Sequence, residues 1–323
     1  MSGEQGDDRR FIDLYCRTAI IFTILAAARL IYIEICGTPL RGSFFHLLLA
    51  GPALAIGAYY TFKRFSLLPA TLFNGLGLAG LAYTGNVLST ILTVYSGRRF
   101  PFTDATLAAA DGAIGFDWGA ALRLFDRHPD VNAVLRVAYD SIIPQILLIV
   151  VILALTRQAE RLYRFLMATN LALVVTSVIA VFFPALGAYE FYGVSPADHP
   201  HIALVTDTKM TEPILWLRAA VFTPPGPSFT VGLISFPSFH SATAVIYAWA
   251  MWRTPVARWI WLAVNAMMLI ATPVHGSHYL VDVFAGVAVA WIGIAISTWV
   301  LDVGARRAGR GQPALADRKL ATR

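Results

Sequence analysis

The sequence has few charged residues and almost no cysteine. Asp, Glu, Lys and Arg make up 14% of its 323 residues, about half the share found in an average soluble domain. The two cysteines, Cys16 and Cys36, flank the first apolar stretch, where twenty residues of helix would hold them about 30 Å apart, too far for a disulfide. The chain also lacks internal repeats, low-complexity runs and any polar stretch long enough to form a separate soluble domain. These absences argue against a soluble globule, a disordered chain and a disulfide scaffold.

Apolar residues take the place of the missing charge. They make up 57% of the chain, and the mean hydropathy is +0.64. A soluble globule has no interior large enough to bury that much apolar surface. The sequence therefore predicts an all-α integral membrane protein, a helical bundle of about eight transmembrane helices. Stretches long enough to cross about 30 Å of hydrocarbon lie at 14–36, 43–62, 66–95, 139–156, 163–185, 237–253, 257–274 and 278–301.

The basic residues predict how the chain is oriented in the membrane. With the N-terminus inside, every short cytoplasmic loop carries Lys or Arg, as the positive-inside rule requires. We therefore expect a multi-pass protein of the cytoplasmic (inner) membrane with both termini in the cytoplasm. The net charge of +6 is explained in the same way and does not call for a nucleic-acid partner.

The pattern of apolar and polar stretches predicts four parts in the chain. N-terminal transmembrane helices occupy 1–95, and amphipathic helices lying on the outer surface occupy 96–138. A catalytic transmembrane core follows at 139–302, with an active-site loop at 186–236 that is rich in proline and aromatic residues. A basic cytoplasmic tail at 303–323 completes the chain.

Two short histidine-containing segments, 235–242 and 275–282, are predicted to meet at the outer face. His240 and His278 are 38 residues apart, about the length of two antiparallel spans of 17 residues joined by a tight inner turn. Asp282 follows His278 by four residues, which places both on one face of a helix. A buried carboxylate beside an imidazole fixes its tautomer and makes it a directed nucleophile or base. His240 could then act as the general acid.

At these residues the sequence resembles the type 2 phosphatidic acid phosphatase superfamily, and within it the branch related to inositol phosphorylceramide synthase. The family's Pro-Ser-Gly-His motif corresponds to Pro237-Ser238-Phe239-His240, and its Ser-Arg-x5-His-x3-Asp motif to Ala271-Thr272, five residues, His278 and Asp282. The resemblance implies that His278 attacks phosphorus and forms a phosphohistidine. It also implies that Asp282 orients His278, His240 protonates the leaving oxygen, and Ser238 helps to hold the phosphate.

The sequence departs from the family pattern mainly at its cations. Thr272 stands where many members have a phosphate-binding arginine, and the family's first motif, Lys-x6-Arg-Pro, is absent. Positive charge must still balance a phosphoryl group in its transition state. Arg218, just upstream of the second motif, is the first candidate for that charge, and Lys209 is the second.

The resulting prediction is a membrane lipid phosphatase or phosphotransferase that acts on a lipid phosphate or diphosphate at the periplasmic or exterior face, without metal or cofactor. The histidine chemistry is the same whether water or the alcohol of a lipid or sugar accepts the phosphoryl group. Two alternatives remain open: a lipid transporter that uses intramembrane His and Asp, and a metal site built from His275, His278 and Asp282.

Overall fold

The computed structural model describes residues 2–36, 45–63, 66–202, 211–220 and 232–310. Within these residues the protein is built from α-helices and two short 3₁₀ turns, with no strand. The α-helices are α1 (Ser2–Cys36), α2 (Phe45–Phe62), α3 (Leu67–Ser96), α4 (Asp104–Ala113), α5 (Trp118–Arg127), α6 (Pro129–Asp140), α7 (Ile142–Leu155), α8 (Ala159–Phe182), α9 (Ala188–Phe191), α10 (Thr211–Ala219), α11 (Phe239–Met251), α12 (Ala257–His275) and α13 (Leu280–Arg310).

Five of the described helices, α1, α3, α8, α12 and α13, are long and apolar enough to cross a membrane. Helices α6 and α7 pass the same test together, but they bend by 56° where they meet. The protein is therefore a multi-pass, all-helical membrane protein, as its composition predicts. The predicted count of eight spans is not confirmed. One reason is that α11 has 13 residues, about 20 Å of helix, which falls short of about 30 Å of hydrocarbon.

Small residues on α3 allow its neighbours to pack closely. A Cβ on Gly77 would lie 2.5 Å from the Leu54 side chain of α2. A Cβ on Gly85 would lie 2.6 Å from Nη1 of Arg29, a guanidinium that is buried between helices and donates a hydrogen bond to Asn170 Oδ1 at 3.2 Å. Close approach through small side chains is the usual way in which membrane helices associate.

The segment predicted to lie on the outer surface does form helices, but two of its acidic side chains point inward. Asp117 caps α5 from an exposed position by accepting a hydrogen bond from Ala120 N at 2.8 Å. By contrast, Asp104 and Asp111 of α4 are 6% and 0% exposed. A buried carboxylate must find hydrogen-bond donors. These two find them around the connection between α12 and α13.

Helices α11, α12 and α13 bring the two histidine segments together. Helix α11 contacts both of the other two, and the first turn of α11 lies directly against α13. Gly286 makes this contact possible, because a Cβ there would overlap Ser238 O and come within 2.9 Å of the Ser241 Cβ. Neighbouring ends of α11 and α13 therefore form the base of the candidate site.

Candidate active site

His278 lies in a four-residue connection between α12 and α13. Helix α12 ends at His275, and Gly276 N donates to Thr272 O at 3.0 Å. Ser277 then adopts a left-handed conformation with φ of 55°, which turns the chain toward α13. His278 was expected in the first turn of α13, but it precedes that helix by two residues. The side chain thus projects from a tight turn.

Asp282 fixes the orientation of the His278 ring. Its Oδ2 accepts hydrogen bonds from His278 Nδ1 at 3.1 Å, Ser235 Oγ at 3.0 Å and Tyr279 N at 3.0 Å. The hydrogen bond from Tyr279 N is half of a capping box. Asp282 is the third residue of α13, and its side chain accepts this bond from the backbone of Tyr279, the residue just before the helix. His278 and Asp282 are 4% and 0% exposed. Since Nδ1 donates to a carboxylate, the lone pair of the neutral ring lies on Nε2.

Ser238 lies on the Nε2 side of that ring. Its hydroxyl oxygen is 3.4 Å from His278 Nε2 and accepts a hydrogen bond from Ser241 N at 3.3 Å, which makes Ser238 the N-cap of α11. Its backbone N–H donates to Asp282 O at 3.1 Å. Phe239, which stands where the family has glycine, packs against the hydrophobic core.

His240 lies in the first turn of α11, two residues beyond Ser238, and is half-buried. The ring of Tyr139 from α6 stacks flat against it, with ring centroids 4.1 Å apart and an angle of 9° between the planes. The Tyr139 hydroxyl also lies over Gly276, where a Cβ would come within 2.8 Å of it. His240 and His278 are therefore brought to the same end of the bundle, as predicted, through the neighbours they share.

Two aspartates of α4 hold the connection that carries His278. Asp111 accepts hydrogen bonds from Leu280 N at 2.8 Å and Val281 N at 2.9 Å, the first N–H groups of α13. Burial raises the pKa of the Asp111 carboxyl, and these two donors partly offset the rise. Asp104 accepts a hydrogen bond from the Tyr279 hydroxyl at 3.0 Å. The two carboxylates therefore anchor the start of α13 to α4.

The sequence reasoning did not assign a role to Asp104 and Asp111, although a signal was present. They are seven residues apart in a short segment that is otherwise mostly apolar, which places them on one face of a helix. Trp118 of α5 was also missed as a support, and its Nε1 donates to His278 O at 3.0 Å. All three residues lie in the segment 96–138, which the sequence predicts to form amphipathic helices on the outer surface.

Residues 187–189 also hold the connection between α12 and α13, through backbone hydrogen bonds to Ser277. Ala188 N donates to Ser277 O, and Tyr189 N donates to Ser277 Oγ, both at 2.8 Å. Gly187 has a φ of 106°, and a Cβ there would lie 2.8 Å from Ser277 O. Glycine is needed at this position because of both its conformation and the close approach. These contacts hold the left-handed Ser277 in place.

Of the two predicted phosphate-binding cations, only Arg218 lies within the described residues; Lys209 lies outside them. Arg218 Nη1 donates to Gly97 O at 2.9 Å and its Nη2 to Phe100 O at 2.6 Å, while the guanidinium stacks over Phe102 at 4.1 Å. Burial lowers the pKa of Arg218.

Arg218 is close to the Asp282 network but is not in direct contact with it. It lines a small cavity together with Ser235, which donates to Asp282. Thr272, which replaces the family arginine, is fully buried, and its hydroxyl donates to Met268 O within its own helix. Among the described residues, Arg218 is thus the candidate cation that the structure brings toward the site.

His275 is buried near two aromatic rings, Phe125 and Tyr139. It is 0% exposed and lies between the rings of Phe125 and Tyr139, with both centroids 6.1 Å from its own. Within the described part of the chain, no three His, Cys, Asp or Glu side chains are grouped so that they could hold a metal ion. His275 therefore packs as an aromatic residue beside the site.

The described helices thus bring together a histidine bound to an aspartate, a serine beside its ring, and a second histidine two residues after that serine. The family model of the PAP2 superfamily matches residues 105–296, and the chain belongs to this superfamily. The matched residues run from α4 to α13 and include Ser238, His240, His278 and Asp282. No curated protein and no solved structure matches the chain. Membership makes the protein a phosphatase or phosphotransferase of the PAP2 type.

Proposed function

We propose that the protein cleaves the phosphoester bond of a lipid phosphate, or the phosphoanhydride bond of a lipid diphosphate, through a phosphohistidine formed on His278. The observation that carries the proposal is the orientation of this ring. Its Nδ1 donates to the buried Asp282 carboxylate, so its Nε2 lone pair faces the Ser238 hydroxyl at 3.4 Å. A histidine held in this way is a directed nucleophile.

In the first step, the Nε2 lone pair of His278 attacks phosphorus. The bond between phosphorus and the lipid oxygen breaks, and its electron pair goes to that oxygen, which takes a proton from the imidazolium of His240. Asp282 stabilises the positive charge that develops on the His278 ring. The lipid alcohol leaves, and the phosphoryl group remains bonded to Nε2.

In the second step, neutral His240 accepts a proton from a water molecule as its oxygen attacks phosphorus. The bond between phosphorus and nitrogen breaks, its electron pair returns to Nε2, and inorganic phosphate is released. The alcohol of a lipid or sugar could replace water and receive the phosphoryl group instead, as in the headgroup transfer of inositol phosphorylceramide synthase. The protein groups would perform the same proton transfers in both reactions.

The start of α11 is the proposed binding place for the phosphoryl oxygens. The N–H groups of the first turn of a helix have no partner within the helix and attract anions. In α11 these belong to Phe239 and His240, and they lie next to the Ser238 hydroxyl. Arg218 is proposed to add positive charge from the cavity that it shares with Ser235.

Replacing Arg218 with alanine is expected to raise KM for a lipid phosphate by about tenfold or more, because a charged hydrogen-bonding group contributes about 1.5–3 kcal/mol. Arg218→Lys keeps the charge but not both bonds to Gly97 O and Phe100 O, so it separates electrostatics from anchoring of α10. Steady-state kinetics on purified protein measures both variants. Lys209→Ala is the comparison, and a larger effect there would identify Lys209 as the phosphate-binding cation.

The function is tested by incubating purified protein with a panel of lipid phosphates, with and without EDTA, and measuring free phosphate and transferred headgroups. Phosphate release that survives EDTA supports metal-independent hydrolysis. Headgroup transfer with little free phosphate would identify a phosphotransferase. A protein that only transports lipid would yield neither product, and that result would overturn the proposal.

We further propose that the site faces the periplasm or cell exterior. His240 and His278 lie at one end of α11 and α12, whereas Arg253 and Arg258 lie at the other, which the positive-inside rule assigns to the cytoplasm. In a Cys16→Ser, Cys36→Ser background, a membrane-impermeant maleimide should label Ala197→Cys in intact cells. It should label Val256→Cys, 77% exposed between α11 and α12, only after lysis. The opposite labelling pattern would reverse the orientation.

A further inference from the structure

The ring of Tyr139 stacks directly on the imidazole of His240. Tyr139 is the penultimate residue of α6, at the point where this helix bends into α7, and it is 5% exposed. The two rings are almost parallel, at 9°, with centroids 4.1 Å apart, and the Tyr139 hydroxyl is 3.4 Å from His240 Nδ1. No sequence motif marks this tyrosine.

The position of the Tyr139 ring is itself tightly constrained. Its hydroxyl fits over Gly276, where a Cβ would come within 2.8 Å of it. The ring also lies near His275, with ring centroids 6.1 Å apart. The base of the side chain packs in a small apolar cluster with Leu135 and Ala271. Because its neighbours come from both α6 and α12, the ring has little freedom to move.

We propose that Tyr139 is a positioning residue that holds the His240 imidazole in the orientation needed to protonate the leaving oxygen. The proposal rests on the proposed function, since it assigns His240 the role of general acid. A general acid must lie within hydrogen-bonding reach of the oxygen that it protonates. His240 is half-buried in the first turn of α11, and a flat aromatic neighbour restricts rotation of its ring.

The test compares two phosphate esters that differ in how much they need a general acid. The alkoxide released from an alkyl phosphate is strongly basic and must be protonated as it leaves. The phenolate released from 4-nitrophenyl phosphate is stable without a proton. Loss of general-acid function therefore slows phosphohistidine formation from the first ester far more than from the second, whereas loss of the fold slows both equally. Rapid-quench measurement of this first step keeps it separate from phosphohistidine hydrolysis, in which His240 acts as the base with either ester.

Tyr139→Leu is expected to lower the rate of phosphohistidine formation from the alkyl phosphate by about 10²-fold, the lower end of what a general acid contributes, with little change in KM or in the rate of formation from 4-nitrophenyl phosphate. Tyr139→Phe keeps the stacked ring and should stay close to wild type on both esters. Tyr139→Met, which fills space with a flexible apolar chain, provides a second ring-free variant in case leucine packs poorly. His240→Ala should show the same selective loss as Tyr139→Leu.

Phe125→Leu is the matched control, because Phe125 contacts His275 in the same group of rings but does not stack on His240. It should leave the ratio of the two rates unchanged. Equal losses on both esters in the ring-free variants, or full activity of Tyr139→Leu on the alkyl phosphate, would overturn the proposal. Wild-type protein that hydrolyses neither ester would instead count against the proposed function, so the two failures can be told apart.

Discussion

His278→Ala is expected to abolish turnover while leaving the helical bundle folded. The imidazole is the proposed nucleophile, so its removal eliminates the covalent route and should lower kcat by at least about a thousandfold, within the range seen when a nucleophile is deleted. The backbone of the connection should persist, because Asp111 binds the N–H groups of Leu280 and Val281 independently of the His278 side chain. Phosphate release from the best lipid substrate measures the loss.

Trapping of the intermediate makes the test of His278 specific. Wild-type protein quenched during turnover of a phosphate-labelled substrate should carry acid-labile label, and the variant should carry none. His201→Ala is the control, because the side chain of this histidine is 57% exposed and lies beside Asp126, away from the His278 turn. Near-normal activity of His278→Ala would end the phosphohistidine mechanism.

Asp282→Asn is expected to have the second largest effect. The asparagine oxygen can still accept the hydrogen bonds that Asp282 Oδ2 receives from His278 Nδ1, Ser235 Oγ and Tyr279 N, so the geometry should survive. Its NH₂ group would take the position of Oδ1, which has no hydrogen-bond partner among the described residues. The substitution therefore removes mainly the negative charge that stabilises the cationic ring. A loss of about 10²- to 10⁴-fold in kcat is expected, comparable to removal of the aspartate charge in a catalytic triad.

The matched control for Asp282→Asn is Asp302→Asn on the same helix. Asp302 lies at the other end of the predicted span, and its partly exposed side chain pairs with Arg164 at 2.6 Å. Exposed ion pairs contribute about 0–1 kcal/mol, so this variant should retain activity. Rapid-quench measurement of phosphohistidine formation isolates the attack step. An unaltered attack rate in Asp282→Asn would remove its proposed role in stabilising the positive charge on the His278 ring.

Much of the fold could be predicted from the sequence, because long apolar runs have only one stable solution in a membrane. A helix satisfies its own backbone hydrogen bonds, which is why α3, α8, α12 and α13 coincide with predicted spans. The prediction was less accurate where a span is short or bent. Hydropathy does not distinguish a complete crossing from the 13-residue α11, or from the bent pair α6 and α7.

Part of the candidate site could also be predicted, because its central residues are close together in the sequence. The spacing of His278 and Asp282 indicated their contact, and the distance from His240 to His278 indicated a shared face. The helix boundary was less accurate, since Ser277 turns the chain and leaves His278 just before α13. The roles of these residues, and of Ser238 and Arg218, stay predictions until the variants are measured.

The supports of the site could not be predicted, because they join segments far apart in the sequence. Asp111 and Leu280 are 169 residues apart, and Trp118 and His278 are 160 apart. Helical periodicity tells which residues share a face, but not which distant backbone that face will meet. The spacing of Asp104 and Asp111 is compatible with a shared helix face, but nothing in the sequence indicates that this face is buried.

By itself the amino-acid sequence determined the membrane class of this protein, most of its spanning helices and the pairing of His278 with Asp282. These features follow from composition and from spacings shorter than one helix, which local physics controls. Only the tertiary structure decided that α4 holds the start of α13, that Tyr139 stacks on His240 and that Arg218 binds the carbonyls of Gly97 and Phe100. Each of these contacts exists because packed helices bring distant residues within a few ångströms, and no pattern along the chain encodes that distance.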